Sequence, residues 1–298
     1  MPDLPDKSSG DQDSPEPVRR TPPQPEQIWP PPQPGKGPGE PADTVELDWT
    51  DAVDSGQPAK GAKSAPTSSG KPWTGGSAAH SSTRVNPKSQ DDLGQLWGNV
   101  FFSVDSPAPK AVVVTSARRR DGATQIASAL SLLGAAANRE LNIALVDFNL
   151  RHPAVAEVMG LPVEPGLTDV LDGRASLETA MRSVSLTGGG RLHVLTSGSL
   201  AEQPLGLIKS RQVQSMMSQL IDRFDHVILD VASANQYPDA QVLGGLVDGV
   251  LLVVKSGDTP RETVAEAKKR LDLAGVRCLG LVLNQRMEPI PAMLYRMT

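Results

Sequence analysis

From Asp91 onward the chain alternates short, almost unbroken apolar runs with amphipathic stretches, and this pattern narrows the fold more than any other feature. The runs are Ala111 to Thr115, Asn142 to Asp147, Leu192 to Thr196, His226 to Asp230, Gly249 to Val254 and Cys278 to Asn284. Between them, Thr124 to Ala137, Ser210 to Arg223 and Pro260 to Ala274 read as helices. Strands without polar alternation, separated by helices, belong in a parallel sheet covered on both faces. The expectation is a doubly wound α/β domain with a mainly parallel sheet over residues 91–298.

The first ninety residues read differently. They hold 17 of the 27 prolines and 9 of the 27 glycines, a density that cannot bury enough apolar area to offset chain entropy. A disordered tail is expected over 1–90. With 9 basic against 12 acidic residues it is no polybasic membrane segment. Its Thr44-Val-Glu-Leu-Asp-Trp49 stretch is acidic and apolar, either a short docking motif or tail without a role; Arg19, Pro22 and Pro25 weakly fit a polyproline-II ligand.

The whole chain carries 29 basic and 34 acidic side chains, a net charge of −5, which argues against a general nucleic-acid binder. One cysteine, Cys278, excludes an internal disulfide framework. The longest apolar candidate, Val242 to Val254, contains Asp248 and is too short to span a bilayer. With no secretory leader in Met-Pro-Asp-Leu-Pro-Asp, the expected location is the cytoplasm.

Ligands of an open parallel sheet bind beyond the carboxyl ends of its strands. After the first run comes Ser116-Ala-Arg-Arg-Arg-Asp-Gly122-Ala-Thr124, a strand, a loop and a hydroxyl residue opening a helix. That is the layout of a phosphate loop, in which a lysine neutralises phosphate and Ser or Thr ligates Mg²⁺. Gly122 and Thr124 fit; Ala123 stands where the lysine belongs, and Arg119 and Arg120 fill permissive positions. Asp147 and Asp230 end their strands, where a carboxylate either holds metal or caps the next turn. Asn284 ends the last strand, also as a cap or a ligand contact. His152 has no metal-ligand spacing and reads as a surface residue.

Several blocks, in order, carry a resemblance. They are Ala144-Leu-Val-Asp147-x-Asn149-x-Arg151-x-Pro153, Glu164-Pro-Gly-Leu-Thr-Asp-Val-Leu-Asp-Gly173, Leu195-Thr-Ser-Gly198, Phe224 to Asp230, Leu246 to Val254 and Gly280 to Asn284. Over about two-thirds of its length the chain resembles the bacterial tyrosine kinases (BY-kinases) of capsule and exopolysaccharide synthesis, relatives of the partitioning and cell-division ATPases with deviant phosphate loops. The resemblance implies ATP and Mg²⁺ as cofactors. It gives Gly122 the phosphates and Thr124, Asp147 and Asp230 the Mg²⁺. Asp147 and Asp230 would be the catalytic acids, Arg151 and Asn284 nucleotide contacts, and Tyr295 a reduced form of the tyrosine-rich phosphoacceptor tail.

The departures share a purpose. The loop lysine is Ala123, the second carboxylate of the strand-end motif is Asn149, and the arginines of the assembly helix are Gly94 and Trp97. The resemblance therefore implies a degenerate member, a regulator or scaffold of exopolysaccharide synthesis or export, peripheral to the inner face of the cytoplasmic membrane. Its partner would be a membrane-embedded polysaccharide co-polymerase or chain-length protein, with self-association as a further property. Two alternatives stay open: an active autokinase, with Arg118 to Arg120 restoring charge, and a partitioning-type positioning ATPase.

Overall fold

The six apolar runs all become strands, and for those inside the sheet burial explains the lack of polar alternation, whereas the last run, at the edge, keeps Leu281 and Leu283 exposed. The computed structural model describes residues 44–47, 87–102, 108–187 and 189–285, all within the unit Pro41–Thr298. The strands are β1 (Thr44–Leu47), β2 (Ala111–Ser116), β3 (Ile143–Asp147), β4 (Arg182–Leu186), β5 (Arg191–Leu195), β6 (His226–Asp230), β7 (Gly249–Lys255) and β8 (Cys278–Asn284). The helices are α1 (Pro87–Phe101), α2 (Ala123–Ala137), α3 (Val155–Met159), α4 (Leu167–Leu171), α5 (Leu177–Ala180), α6 (Pro204–Ile208), α7 (Arg211–Arg223), α8 (Asp239–Gly244) and α9 (Arg261–Leu273).

The strands form one sheet in the order β1-β4-β5-β3-β6-β2-β7-β8. Every neighbouring pair is parallel except β4 with β5. The fold is the expected doubly wound α/β architecture with a mainly parallel sheet. Alternate residues of β2 enter two cores. Ala111 and Val113 pack with Met217 and Leu220 of α7 and Leu271 of α9. Val112 and Val114 pack with α2 and with Leu93, Trp97 and Phe101 of α1. Both faces are buried, so both residue sets must be apolar.

α2 touches β2, β3 and α1 at close range because its residues are small. At Gly134 a Cβ would collide with the Trp97 ring, and Trp97 also stands edge-on to the His226 ring at 5.4 Å between centroids. Trp97, in the stretch read as an assembly helix, is 3% exposed and belongs to the core.

Three features depart from the expectation. β4 went unmarked because Arg-Ser-Val-Ser-Leu carries only two apolar residues. α1 begins at Pro87 rather than Asp91. Residues 44–47, inside the segment expected to be tail, form a strand parallel to β4, with Thr44 opposite Ser183 and Leu47 opposite Leu186. The expectation for the rest of the tail up to Pro87, and Tyr295, lie outside the described residues. Among the described residues no helix is long and apolar enough to cross a membrane.

Candidate active site

The site begins where β2 runs into the loop before α2. The buried Asp121 carboxylate organises that loop, accepting the Arg118 backbone N–H at 2.9 Å and the Thr259 hydroxyl at 2.8 Å. The Arg118 guanidinium pairs both with Asp121 and with Asp258, on the chain after β7. Arg120 and Gly122 both take positive φ, 69° and 98°. At Gly122 any Cβ would also run into the Asn284 amide. Asn284 donates from Nδ2 to the Asp121 carbonyl at 3.0 Å and accepts the Gln285 N–H on Oδ1 at 2.9 Å. Asn284 thus ties the end of β8 to the loop and uses both ends of its amide within the chain.

Gly122 is the N-cap of α2 and supplies no side chain to its first turn. The free N–H groups there, with the positive end of the helix dipole, suit an anion. Ala123 places only a methyl group beside them. Thr124, one residue on, donates its hydroxyl to Asp230 Oδ2 at 2.6 Å.

β3 and β6 are adjacent and parallel with Asp147 opposite Asp230, so two strand ends deliver two carboxylates side by side. Both are fully buried. Asp147 accepts the Asn149 N–H on Oδ1 and the Val155 N–H on Oδ2, both at 3.1 Å. Asp230 Oδ1 is buried with no hydrogen-bond partner among the described residues. Burial raises the Asp147 carboxyl to about 7, held back by its backbone hydrogen bonds. Asp230 is pushed up by burial first and by the neighbouring Asp147 charge second, with the Thr124 hydroxyl opposing. Hard oxygen donors and one open carboxylate oxygen fit Mg²⁺, which would repel the protons the pair otherwise holds.

A cleft of about 170 Å³ opens at the start of α2, its wall including Arg119, Arg120, Thr124, Asn149, His152 and Tyr237. Asn149 accepts the His152 N–H on Oδ1 and serves a turn. The His152 imidazole is lowered by partial burial and then by Arg119 and Arg151. Arg151 grips the buried Asp239 carboxylate with two hydrogen bonds, at 3.0 and 3.2 Å, and lies 4.4 Å over the Tyr237 ring. Its fork is spent on α8 rather than presented to the cleft.

The structure therefore brings Gly122, Thr124, Asp147 and Asp230 together, with Asn284 and Arg151 bracing two sides. Sequence reading missed Asp121, Asp239 and Tyr237. Asp239, following Pro238, marks a helix start; nothing local distinguishes Asp121 from an ordinary loop acid. Among the described residues no group of three or more His, Cys, Asp or Glu could hold a metal ion. Any Mg²⁺ site here thus leans on Thr124, solvent and substrate.

No protein-family model matches the chain. It is 33% identical over 184 residues to tyrosine-protein kinase YwqD of Bacillus subtilis, covering 62% of this chain and 75% of that one. It is 25% identical over 194 residues to tyrosine-protein kinase ptk of Acinetobacter johnsonii, and there it spans 26% of the relative's length. Among solved structures, the chimerical protein CapA2B2 superposes with a TM-score of 0.63 at 28% identity, covering 68% of this chain and 87% of that one. The kinase domain of Escherichia coli tyrosine kinase ETK gives 0.61 at 24% identity, covering 68% and 79%.

Proposed function

Because this chain belongs to the bacterial tyrosine kinase family, we propose that it is a degenerate member acting as a regulator or scaffold in exopolysaccharide synthesis or export. It keeps Asp147 and Asp230 of a phosphoryl-transfer site, but Ala123 replaces the loop lysine and Asn149 the second carboxylate of the strand-end motif. The observation that carries this reading is Ala123 at the first position of α2, where the loop calls for lysine. Phosphoryl transfer is catalysed mainly by positioning and charge stabilisation, and removing one such stabilising group costs about 3–4 kcal/mol of barrier lowering.

Nearby cations do not replace it in kind. Arg118 is paired with Asp121 and Asp258, and Arg151 with Asp239. Arg119 and Arg120 remain on the cleft wall, where they hold an anion at the rim. If nucleotide enters, the N–H groups of Gly122, Ala123 and Thr124 contact its phosphates. Thr124, Asp230 and Asp147 then hold Mg²⁺, which supplies charge neutralisation between phosphate oxygens. Asp147 and Asp230 bind that ion only by releasing protons, so raised pH favours it.

The partner is a membrane-embedded co-polymerase or chain-length protein, which this chain meets from the cytoplasmic side; the alliance of such kinases with capsule production supports it, and nucleic acid has no part. Self-association through α1 is disfavoured by the burial of Trp97 within the domain.

Mg-ATP calorimetry with single-turnover hydrolysis on the purified full chain tests the reading. Weak or undetectable binding with background hydrolysis is expected. Sub-micromolar affinity with clear turnover would replace it with an active autokinase phosphorylating Tyr295, a reading favoured by the intact Thr124–Asp230 bond and by Arg119 and Arg120 at the cleft.

A further inference from the structure

The sequence leaves the Thr44-to-Trp49 stretch as either a docking motif or tail without a role, and its first four residues are docked on the chain's own sheet. β4 is held on one side only by β5, antiparallel, with Arg182 opposite Val194 and Ser185 opposite Arg191. Its other side would be a free edge, with backbone N–H and C=O groups unpaired, and β1 covers it in parallel over four residues. An edge of this kind is a template for an added strand.

We infer that the outer edge of β4 is a strand-accepting surface whose resident ligand is Thr44–Leu47 of the same chain, held reversibly. An extended peptide carrying the same segment displaces it.

Three observations lead there. A four-residue strand is short for a sheet member and lends the sheet little beyond its own ladder. In sequence it is separated from α1 by the long stretch of residues 48–86. Closing a long loop costs only slightly more than closing a shorter one, and the covalent link makes the pairing an intramolecular event. Weak pairing therefore suffices for high occupancy, and the same weakness lets the strand leave. The β4 side of the ladder is firmly built, since Val184 and Leu186 are core residues on the α1–α2 face. A displaced strand thus leaves behind an ordered edge rather than an unfolded one. This surface lies apart from the nucleotide cleft, so the inference stands whatever becomes of the pseudokinase reading.

The test uses a fluorescent peptide spanning residues 40–51 and full-length protein. In the double variant Val45→Pro/Glu46→Pro, adjacent prolines remove a ladder donor whichever of the two faces β4. The peptide should bind this variant about tenfold or more tighter than it binds wild type, where the tethered segment competes. Hydrogen exchange at the Ser183 and Ser185 amides, which point away from β5 because the Leu186 N–H donates to Gly190 across the β4–β5 hairpin, should accelerate in the variant and slow again with saturating peptide, while β3 and β6 amides stay unchanged. A second arm leaves the strand intact: a protease site placed between Lys60 and Gly61 cuts the tether. After cutting, the N-terminal fragment should separate on dilution and free the edge for labelled peptide. Equal peptide binding by wild type and variant, no binding by either, or a cut fragment that stays attached through dilution would each overturn the inference.

Discussion

Gly122 and Asn284 share one space: the glycine leaves the room that the Asn284 amide uses to reach the Asp121 carbonyl. Gly122→Ala should cost about 1–3 kcal/mol from its left-handed backbone alone and more from the collision. In an Asn284→Ala background the collision disappears and only the backbone cost remains, so urea denaturation of the four proteins should give a positive coupling between the sites. The carboxylate pair makes a second prediction. Both acids titrate higher when folded than unfolded, so folding favours their protonated forms. That stabilisation is complete below about pH 4, the unfolded carboxyl value, and for Asp147 it is lost as pH rises to about 7. His193, pushed down to about 4 mainly by burial, slopes the other way, so the pair must be read by difference. Asp230→Asn should raise Tm at pH 8 by about 3 °C or more, as for roughly 1 kcal/mol in a domain of this size, and the gap should close towards pH 5. A gap that is constant with pH would refute the raised titration of the Asp230 carboxyl. These residues also mark how legible the site was. Asp147 and Asp230 could be found because each ends an apolar strand, and Thr124 because it opens the helix that follows a strand and a loop. Asp239 could not be paired with Arg151 from sequence, since the two stand 88 residues apart and meet only once α8 has packed.

At the scale of elements, the contact between α1 and α2 turns on one large and one absent side chain. Trp97 fills the space that Gly134 leaves open, packed against the Phe101 and His226 rings, which also touch each other. Trp97→Ala should cost about 3–5 kcal/mol, measured by denaturant unfolding, and Gly134→Ala about 1–3 kcal/mol by overpacking. The second cost should shrink when combined with Trp97→Ala. If Trp97→Ala were silent, α1 would be an appendage and its role in assembly would reopen. The strands were legible for the reason that α1 was not. Burial on two faces leaves a continuous apolar signature that survives without knowledge of neighbours. α1 buries one face, and its sequence reads as a family motif with the wrong residues until α2 supplies the partner. β4 fails differently: two serines in five positions interrupt the apolar run, and its burial comes from position in the sheet. β1 is hidden by surroundings whose composition argues against any strand at all.

For the whole molecule, the scaffold reading separates two sets of charges. Asp147→Ala and Asp230→Ala should leave co-purification with the membrane partner and polymer output largely intact, since neither side chain reaches the surface. Reversing the exposed Arg119 and Arg120 to Glu should weaken the association several-fold, most at low ionic strength where exposed charges are least screened. Loss of polymer in the aspartate variants, with the protein still folded, would make metal chemistry essential. The position of β1 bears on how the molecule is made. Thr44 leaves the ribosome 139 residues ahead of Ser183, its register partner. At about 5–20 residues per second, that is a wait of about 7–28 s. β4 itself has no anchor until β5 follows. The first of the described strands to be made is therefore among the last to find its place, and through that interval it is open to a wrong neighbour. Pro41 and Pro58 bracket it in the sequence, and proline cannot extend a ladder. What waits for its partner is thereby kept short.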